Sequence, residues 1–423
     1  MKDTARTRRR SQEPTAQLAF AAMREAHGLL HDAVVNAGMI VLSAMLEEDR
    51  ARLCGPRYAH DCDRRASRAG HVDGELAFGG RRIRVRRPRV RSNDGNEVAL
   101  PSWERFRDAD PLTERAVEQI AVGVSTRNYD RSLEAAPPGF DVRGASKSAV
   151  SRRFVAATRE QLAQMMSRDL SGISLCVVMI DGIHIGGDHL VLTALGIDEG
   201  GNKHVLGLYE GATENATVCA ALLSDLVARG VKTTRTVLFV VDGAKAIVKA
   251  IRAVFGKRAL IQRCQVHKRR NVLDHLPESM KHDIGRTMST AYRCGDPVRA
   301  KRMLEALARQ LERRHRAAAA SLREGLDETL TVLRFKLPDW LLRTLATTNA
   351  IEHINSRLRI ATHNVARWTG EMVLRWIAFG LGEASKTFRK LRGYAGMPKL
   401  LIALRAHDAT LDAGNVDAVK PAA

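Results

Sequence analysis

Three carboxylates occupy positions from which they could act together on one substrate: Asp181, Asp242 and Glu352. Each aspartate closes an apolar run (VVMI before Asp181, VLFVV before Asp242) and is followed by glycine. Such runs are typical of buried strands, where an acid costs free energy unless a positive charge lies beside it. Because the chain carries a formal net charge of +21, we interpret the three acids as ligands that hold metal ions against DNA.

The chemistry that this set favours is phosphoryl transfer. Two Mg²⁺ ions held by carboxylates clamp the attacking and leaving oxygens of a phosphodiester, and Mn²⁺ is a usable substitute. We predict that Asp181 and Asp242 bind the two ions. Glu352, in the first turn of a basic helix with the sequence TTNAIEHINSRLR, would complete the site.

Each acid also has an ordinary structural interpretation. An Asp-Gly pair after a strand is a common turn, and Asp242 could cap a helix that starts at Ala244. Glu352 follows Asn349 by three residues, which is the spacing of a capping box. These alternatives stay open for each acid alone, whereas two aspartates after two buried strands favour the metal site.

The sheet that would position these acids has a characteristic order of elements. Three hairpin-connected strands are predicted, followed by a helix, a strand, a second helix and a fifth strand. This order is that of the ribonuclease-H-like fold, in which the first and fourth strands are neighbours, so Asp181 and Asp242 would meet. The predicted strands lie at 175–185, 189–198, 203–211, 236–241 and 259–264.

The predicted fold class is therefore α/β, with a ribonuclease-H-like catalytic core that an all-helical insertion interrupts and a mostly helical N-terminal DNA-binding region. In chain order we expect a basic tail with a helical lead-in, a basic β-ribbon with a helix-turn-helix, the first part of the core, the insertion, the second part of the core with the Glu352 helix, and a tail. The corresponding ranges are 1–70, 71–170, 171–276, 277–345, 346–410 and 411–423.

The N-terminal half carries two candidate DNA-binding features. Seven arginines between positions 81 and 91 alternate with apolar residues, which predicts a basic β-ribbon rather than merely a solvated strand face. Residues 112–165 are predicted to form two short helices, a break at Pro137-Pro138-Gly139, and a helix capped by Ser146. That pattern is typical of a helix-turn-helix, although many helical hairpins share it. The predicted DNA contacts are Arg81, Arg82, Arg84, Arg86, Arg87, Arg89, Lys147, Arg152, Arg357 and Arg359.

Composition limits the cellular setting. A basic protein could also bind a membrane surface, but no stretch approaches the ~18 apolar residues of a membrane span. The first residues lack the apolar core of a signal peptide. Six scattered cysteines fit reduced thiols better than a disulfide framework. We therefore expect a cytoplasmic, nucleoid-associated protein.

Five sequence blocks in a fixed order resemble the mutator-type transposases of bacterial insertion sequences, over about residues 50–405. They are MIDGIHIGG, LGIDEGGNKHVLGLYEGATEN, FVVDGAKAI, IQRCQVHKRRNVLDHLP and TTNAIEHINSRLR. The resemblance implies a DDE triad at Asp181, Asp242 and Glu352. It also implies a Cys-x-x-His signature at Cys264 and His267 that supports the active site. Zinc at this pair is the weaker interpretation, because no second close pair follows. A further irregular cluster, Cys54, His60, Cys62 and His71, is equally weak.

The resemblance implies an enzyme that binds double-stranded DNA at the terminal inverted repeats of its element and at the target, as a homodimer or higher oligomer. It would cleave one strand at each end and join the 3′-OH to target DNA. Two alternatives stay open: a metal-dependent nuclease or resolvase of the same fold, and a non-catalytic DNA-binding protein derived from a transposase.

Overall fold

The computed structural model describes most of the chain: residues 13–58, 64–78, 81–108, 111–133, 142–143, 146–186, 189–211, 215–362, 365 and 368–418. Side chains are described over a smaller set, which leaves out positions 13–32, 35, 77, 78, 81, 108, 111, 112, 142, 359–361 and 414–418. The chain divides into two compact units, Met1–Phe154 and Val155–Ala423. Every cysteine that is described is a free thiol, in line with the expected reduced state.

The N-terminal unit combines a long helix with a small antiparallel sheet. Strands β1 (Ala66–Phe78) and β2 (Arg81–Ser92) pair along their length, and β2 also pairs with the short strands β3 (Glu97–Val98) and β4 (Val142–Arg143). The predicted basic ribbon is therefore confirmed as a structural element, while its turn at Gly79-Gly80 lies outside the described residues. The helices of this unit are α1 (Glu13–Cys54), α2 (Pro101–Asp108) and α3 (Pro111–Ala121).

Apolar residues of the ribbon build the core of this unit. Val85 and Val90 of β2 are buried and pack in one cluster with Leu46 of α1 and Trp103 of α2. Over residues 82–86, exposed arginines alternate with the buried Ile83 and Val85, because successive residues of a strand point to opposite faces. This alternation ends at Arg87, which has the strand parity of Val85 and is half-buried. The predicted helical lead-in over 17–53 is confirmed as part of α1.

The predicted helix-turn-helix is only partly correct. Helix α4 (Lys147–Ser167) follows Ser146, whose hydroxyl accepts a hydrogen bond from the N–H of Ala149 at 3.4 Å. Val150 and Phe154 of α4 are buried. The second of the two short helices, predicted over 124–136, is wrong over its described part: residues 124–133 hold turns and one short 3-10 helix, Asp130–Ser132.

The sequence explains why this middle helix does not form. Gly123, at φ +94°, occupies a conformation that ends α3 and that other residues rarely adopt. The Ser125 hydroxyl then accepts a hydrogen bond from the N–H of Asn128 at 3.3 Å. Such local side-chain bonds offer the backbone an alternative to helical pairing. The predicted Pro-Pro-Gly break lies outside the described residues.

The C-terminal unit is built around a five-stranded mixed sheet, so the α/β class is confirmed. The strands are β5 (Leu175–Ile185), β6 (His189–Asp198), β7 (Lys203–Gly211), β8 (Val237–Val241) and β9 (Ala259–Arg263). Their order is β7-β6-β5-β8-β9, with β7, β6 and β5 antiparallel to one another and β5, β8 and β9 parallel. The predicted adjacency of the first and fourth strands is confirmed.

Both faces of this sheet are covered, which explains its continuous apolar runs. In β8, Leu238 and Val240 join one hydrophobic cluster, whereas Val237, Phe239 and Val241 join another. The second cluster is completed by α5 (Ala216–Ala228) and α6 (Lys245–Phe255). A strand buried on both faces needs apolar residues at every position rather than at alternate ones.

The helices that follow the sheet pack on its other face. Residues 277–345, all of them described, form α-helices and 3-10 helices without a strand, and their apolar residues share one cluster with the sheet. Helix α14 continues to Ala418, past the end of the core predicted at 410. The helices are α7 (Gln265–Leu273), α8 (Glu278–Arg293), α9 (Pro297–Glu312), α10 (Arg316–Arg323), α11 (Asp339–Leu345), α12 (Asn349–Thr362), α13 (Gly370–Ser385) and α14 (Met397–Ala418).

Candidate active site

The two aspartates lie at the same level on neighbouring parallel strands. Ile180 of β5 pairs with Val241 of β8. Asp181 directly follows Ile180, and Asp242 directly follows Val241. Parallel strands in register carry equivalent residues on the same side. The sequence-predicted pair is therefore brought together at one edge of the sheet.

The chain turns sharply after Asp242. Gly243 has φ +95°, and a Cβ atom there would lie 1.9 Å from Nε of Arg263, so glycine is required by conformation and by space. One carboxylate oxygen of Asp242 accepts a hydrogen bond from the N–H of Ala244 at 2.9 Å. Helix α6 begins at Lys245 with Ala244 at its N-cap and no side-chain cap, so this bond closes a local turn and the predicted helix cap by Asp242 is not observed.

Helix α12 brings the third acid to the same place. Ile351, Ile354 and Leu358 are buried at helical spacing and fix the helix against the core. Glu352 stands on the opposite side of its first turn. The N–H of Glu352 bonds to the carbonyl of Thr348, and the Thr348 hydroxyl donates to the Glu352 carboxylate. Thr348 therefore starts this helix, and the capping box predicted from Asn349 is not the observed arrangement.

Asn355 is a site residue that the sequence reasoning did not single out. Its Nδ2 donates a hydrogen bond to Oδ2 of Asp181 at 2.6 Å, and the residue is 7 % exposed. Its Oδ1 is buried without a hydrogen-bond partner among the described residues. The available signal was its spacing, because Asn355 lies one helical turn after Glu352 and on the same face.

The electrostatics of the site are those of crowded negative charge. Burial raises the pKa of Asp181 to about 6, and the charges of Asp242 and Glu352 act in the same direction. The hydrogen bond from Asn355 and the charge of His267 oppose this rise. A carboxylate in this position is stabilised by an added cation, which would lower its pKa again.

Cys264 and His267 lie against Glu352 at the same edge of the sheet, because Cys264 directly follows β9 and its N–H bonds to the carbonyl of Val241 at 2.7 Å. The His267 Nε2 atom is 3.8 Å from Oε1 of Glu352, and its Nδ1 atom is 3.4 Å from the Thr348 hydroxyl. Burial alone would raise the pKa of the Cys264 thiol, but hydrogen bonds with His267 and Thr348 outweigh it and lower that pKa. The same bond with Cys264 raises the pKa of His267 to about 9.

The donor chemistry distinguishes two candidate ion sites. Ligand atoms of Cys264, His267 and Glu352 lie within 4.8 Å of one another, the one group of this kind found in the described part of the chain. Its sulfur, nitrogen and oxygen donors differ from the all-oxygen set that Mg²⁺ prefers.

The irregular cluster predicted near the N-terminus consists of Cys54, His60, Cys62 and His71. Of these residues, His60 and Cys62 lie outside the described part of the chain.

The oxygen-rich side of the site fits a hard divalent cation. Asp181, Asp242 and Glu352 supply carboxylate oxygens, and the unpartnered Oδ1 of Asn355 offers a further neutral oxygen. Buried polar atoms normally have a partner, so an orphaned oxygen beside mutually repelling carboxylates is a feature that a bound cation would resolve. These oxygens are of the type that Mg²⁺ prefers, but Asp181, Asp242 and Glu352 do not form a group whose ligand atoms all lie within 4.8 Å of one another in the described part of the chain. The Mg²⁺ site stays a prediction.

Comparison with known proteins identifies the family of this chain. Residues 8–388 match the family model described as Transposase, Mutator family. The chain belongs to this family of transposases.

Curated relatives of this Mutator-family chain are transposases of insertion sequences. The chain is 30% identical over 246 residues to the transposase for IS6120 of Mycolicibacterium smegmatis, covering 57% of this chain and 73% of that protein. It is 27% identical over 367 residues to the transposase for ISRM5 of Rhizobium meliloti (85% and 88%). It is 24% identical over 342 residues to the IS256 transposase in transposon Tn4001 of Staphylococcus aureus (78% and 83%).

The arginines of the ribbon in this Mutator-family chain fall into two groups. Arg87 and Arg89 are half-buried and bond to the Glu97 carboxylate at 2.9 and 3.0 Å, and Arg87 also lies over the Trp103 ring. In contrast, Arg84 and Arg86 are exposed. The ribbon thus uses part of its positive charge internally.

The remaining sequence-predicted DNA contacts are mostly exposed. Arg82 is half-exposed with its guanidinium 3.5 Å from Glu75, and Lys147 and Arg152 are exposed on α4. Arg357 of α12 is also exposed and donates to the Thr387 hydroxyl. The side chains of Arg81 and Arg359 lie outside the described residues. None of the helices that the structure describes combines the length and apolar character needed to span a membrane.

Proposed function

We propose that this chain is a DDE transposase. It binds the terminal inverted repeats of its element, cleaves one DNA strand at each end by metal-dependent hydrolysis, and joins the freed 3′-OH to another phosphodiester by transesterification. The observation that carries the proposal is the convergence of Asp181 and Asp242 from neighbouring parallel strands, with α12 bonded to Asp181 through Asn355. Membership of the Mutator family supports the same reaction class.

The fold assignment that goes with this proposal is a ribonuclease-H-like core interrupted by a helical insertion. Its support is the strand order β7-β6-β5-β8-β9, with two antiparallel and two parallel pairings. The insertion would be residues 277–345, between the strand that precedes Cys264 and the helix that carries Glu352. This topology explains why three acids far apart in the sequence share one edge of the sheet.

The residues would divide the work as follows. Asp181, Asp242 and Glu352 would hold two Mg²⁺ ions, with Mn²⁺ as a substitute, and Asn355 keeps the Asp181 carboxylate turned toward the site. Thr348 and the Cys264–His267 pair hold Glu352. When bound, the ions neutralise charge on the phosphodiester and activate an oxygen nucleophile. The chain's own contribution is to fix these oxygens before the substrate arrives.

The reaction balances without a covalent protein intermediate. In the first step the oxygen of water bonds to phosphorus, the bond from phosphorus to the 3′-oxygen breaks, and that oxygen takes up a proton. In the second step the new 3′-OH loses its proton, attacks a phosphodiester of the target, and displaces the 3′-oxygen of that strand. One phosphodiester is broken and one is formed, so strand joining needs no energy cofactor.

DNA engagement would involve the basic N-terminal unit as well. The exposed arginines of β2 and the start of α4 would bind the duplex, largely through its phosphates. Because two element ends are joined in one event, we propose a homodimer or higher oligomer on DNA, in the cytoplasm and associated with the nucleoid.

A cleavage and joining assay tests the proposal. Purified protein is incubated with a labelled duplex that ends in the element's own repeat, with Mg²⁺ or with EDTA, beside an Asp242→Ala variant. We expect Mg²⁺-dependent nicks at the repeat boundary and joined products from the wild type, and neither from the variant. Cleavage without joining would favour the nuclease alternative. Binding without cleavage by both proteins would favour a non-catalytic DNA-binding protein.

A further inference from the structure

A basic cleft lies beside the candidate active site. It has a volume of about 350 Å³ and lies between helices α7, α8 and α11. Three arginines line it, one from each of these helices: Arg269, Arg293 and Arg343. We call these three residues and the space between them the arginine cleft.

The walls of the arginine cleft continue directly into the site. Gln265 and Val266 of its lining lie between Cys264 and His267 in the chain, and Thr347 of its lining precedes Thr348. The N–H of Gln265 bonds to the carbonyl of Ala346 at 2.9 Å, which ties the two walls together. An extended ligand that continues from Glu352 past Thr348 and the start of α7 would therefore enter the arginine cleft.

Positive charge in the cleft is only partly compensated. Arg269 donates to the neutral Ser289 hydroxyl at 3.0 Å. Arg343 lies 3.8 Å from Asp339, and both of these side chains are largely exposed, so the pair contributes little stability. Arg293 is exposed, and it has no carboxylate partner among the described residues. An anion in the cleft would meet three guanidinium groups against one carboxylate.

An exposed tryptophan extends this charge at the rim. Trp340 is 52% exposed, and the guanidinium of Arg392 lies 3.8 Å from its ring centroid, with that of Arg343 at 5.5 Å. Stacking on an aromatic face holds a guanidinium in place while its N–H groups stay available in the ring plane. The exposed ring of Trp340 thus holds the guanidinium groups of Arg343 and Arg392 in place.

The backbone around Arg392 is built to hold this stack. The Thr344 hydroxyl donates to the Arg392 carbonyl at 3.1 Å. Gly393 has φ +86°, and a Cβ atom there would lie 2.5 Å from the backbone nitrogen of Leu341, so the loop can approach α11 this closely only with glycine. A second stack of a cation on an aromatic ring lies nearby in the sequence: the Lys390 ammonium is 4.9 Å from the Tyr394 ring centroid.

We propose that the arginine cleft and the Trp340–Arg392 stack bind the sugar–phosphate backbone of the DNA strand next to the scissile phosphodiester. Arginine forks match phosphate oxygens in geometry and charge, and the cleft adjoins the residues that hold Glu352. The inference rests on the proposed function for the identity of the ligand. Its role is to position the strand, so it acts on binding rather than on the chemical step.

Binding measurements in an inactive background test this inference. All proteins carry Asp181→Asn, so that the duplex stays intact, and the affinity for a duplex ending in the element's repeat is measured over a series of salt concentrations. Each phosphate contact contributes about 0.9 to the slope of log K against log salt concentration. We expect the double variant Arg343→Gln, Arg392→Gln to lose roughly 1.8 from this slope. Arg309→Gln, an exposed arginine of α9 outside the cleft lining, is the matched control and should leave the slope unchanged.

A second series separates positioning from folding. Trp340→Ala should weaken binding, and Trp340→Phe should restore most of it, because phenylalanine retains a face for Arg392. Arg343→Lys, which keeps the charge, should keep most of the slope lost in the double variant. Equal slopes and affinities for the double variant and the Arg309→Gln control would overturn the inference.

These binding measurements, combined with the cleavage and joining assay of the wild type, distinguish this inference from the proposed function. If the wild type cleaves and joins DNA while the double variant binds like the control, only the cleft assignment fails. If the wild type never cleaves but the double variant loses salt-dependent binding, only the catalytic proposal fails.

Discussion

The edge of the sheet at Asp181 and the ribbon strand β2 are both crowded with charges of one sign, but their surroundings differ. Asp181 is largely buried, bonded by Asn355, and close enough to two other acids for its pKa to rise to about 6. The ribbon arginines lie at the surface, and two of them share Glu97. The energy of a charge in a buried site depends strongly on each neighbouring group, whereas charges at a surface attract DNA mainly through their total. The two regions should therefore respond differently to single substitutions.

The largest effect of a single substitution is expected for Asp181→Asn, in the buried group of acids. The amide keeps the shape and can still accept the Asn355 bond, but it removes one charge from the proposed ion-binding set. We expect cleavage to fall by at least about 10³-fold, the loss of several kcal/mol of transition-state stabilisation. Affinity for the repeat duplex should change less than about threefold, since surface contacts supply most of it.

Cleavage is measured as product formed per unit time from the labelled duplex, and affinity by gel shift in the same buffer. Asp198→Asn is a suitable control, because Asp198 belongs to the same sheet but bonds to Asn202 and His204 instead. Full cleavage by Asp181→Asn would show that the Asp181 charge has no role in cleavage and that the buried acids serve only the fold.

A second variant asks whether the bond from α12 matters in its own right. Asn355→Ala removes the donor to Asp181 without touching a carboxylate. Residues that orient a metal ligand typically contribute 10- to 100-fold in activity or metal affinity. We expect a loss of about that size, with a higher Mg²⁺ concentration needed for half-maximal cleavage. Asn355→Asp should be worse, because it adds a fourth negative charge beside Asp181.

The readout that separates positioning from general damage is the Mg²⁺ dependence. Ser356→Ala, at the next and exposed position of α12, serves as the matched control. A loss of cleavage in Asn355→Ala that excess Mg²⁺ does not reduce at all would contradict a role in orienting Asp181.

The buried acids also predict a particular pH dependence of stability. The pKa of Asp181 is raised from 3.8 to about 6, so the folded protein binds more protons than the unfolded chain between these values. The free energy of unfolding must therefore decrease as pH rises through this window. In metal-free buffer we expect Asp181→Asn to melt a few degrees above the wild type near pH 7.5, and by a smaller margin near pH 5.

Thermal unfolding followed by circular dichroism checks this, with and without Mg²⁺. The ion should remove much of the difference, because it stabilises the ionised wild-type carboxylate but not the amide. A variant that melts below the wild type at both pH values would mean that the Asp181 charge is already compensated within the chain. Cleavage by the wild type, which is assayed with Mg²⁺, should fall only at a pH below about 6, because the ion lowers the pKa of Asp181 from its metal-free value.

The two regions were also predictable from the sequence to different degrees. In the C-terminal unit the apolar runs fixed all five strands, and the order of elements fixed the adjacency of Asp181 and Asp242, because buried strands leave few choices. The spacing of Asn355 from Glu352 predicts a shared helix face, but its bond to Asp181 depends on how α12 crosses β5, which no local pattern encodes. In the N-terminal unit the helix predicted over 124–136 failed where Ser125 bonds locally to Asn128. There, side-chain competition outweighed a marginal helical pattern.

The smallest expected effect sharpens the comparison within the ribbon itself. Arg86 is exposed and has no carboxylate partner among the described residues, whereas Arg89 bonds to Glu97 at 3.0 Å. Hydrogen bonds from Arg89 and Arg87 outweigh burial and lower the pKa of Glu97, so Arg89 is engaged within the fold. Arg86→Ala should reduce the salt slope of binding by about 0.9 and change stability by less than about 0.5 kcal/mol. Arg89→Ala should reduce the slope less and lower stability by up to about 1 kcal/mol. Equal slopes for the two variants would mean that DNA displaces the Glu97 pair, and the ribbon would then present all of its arginines to phosphate.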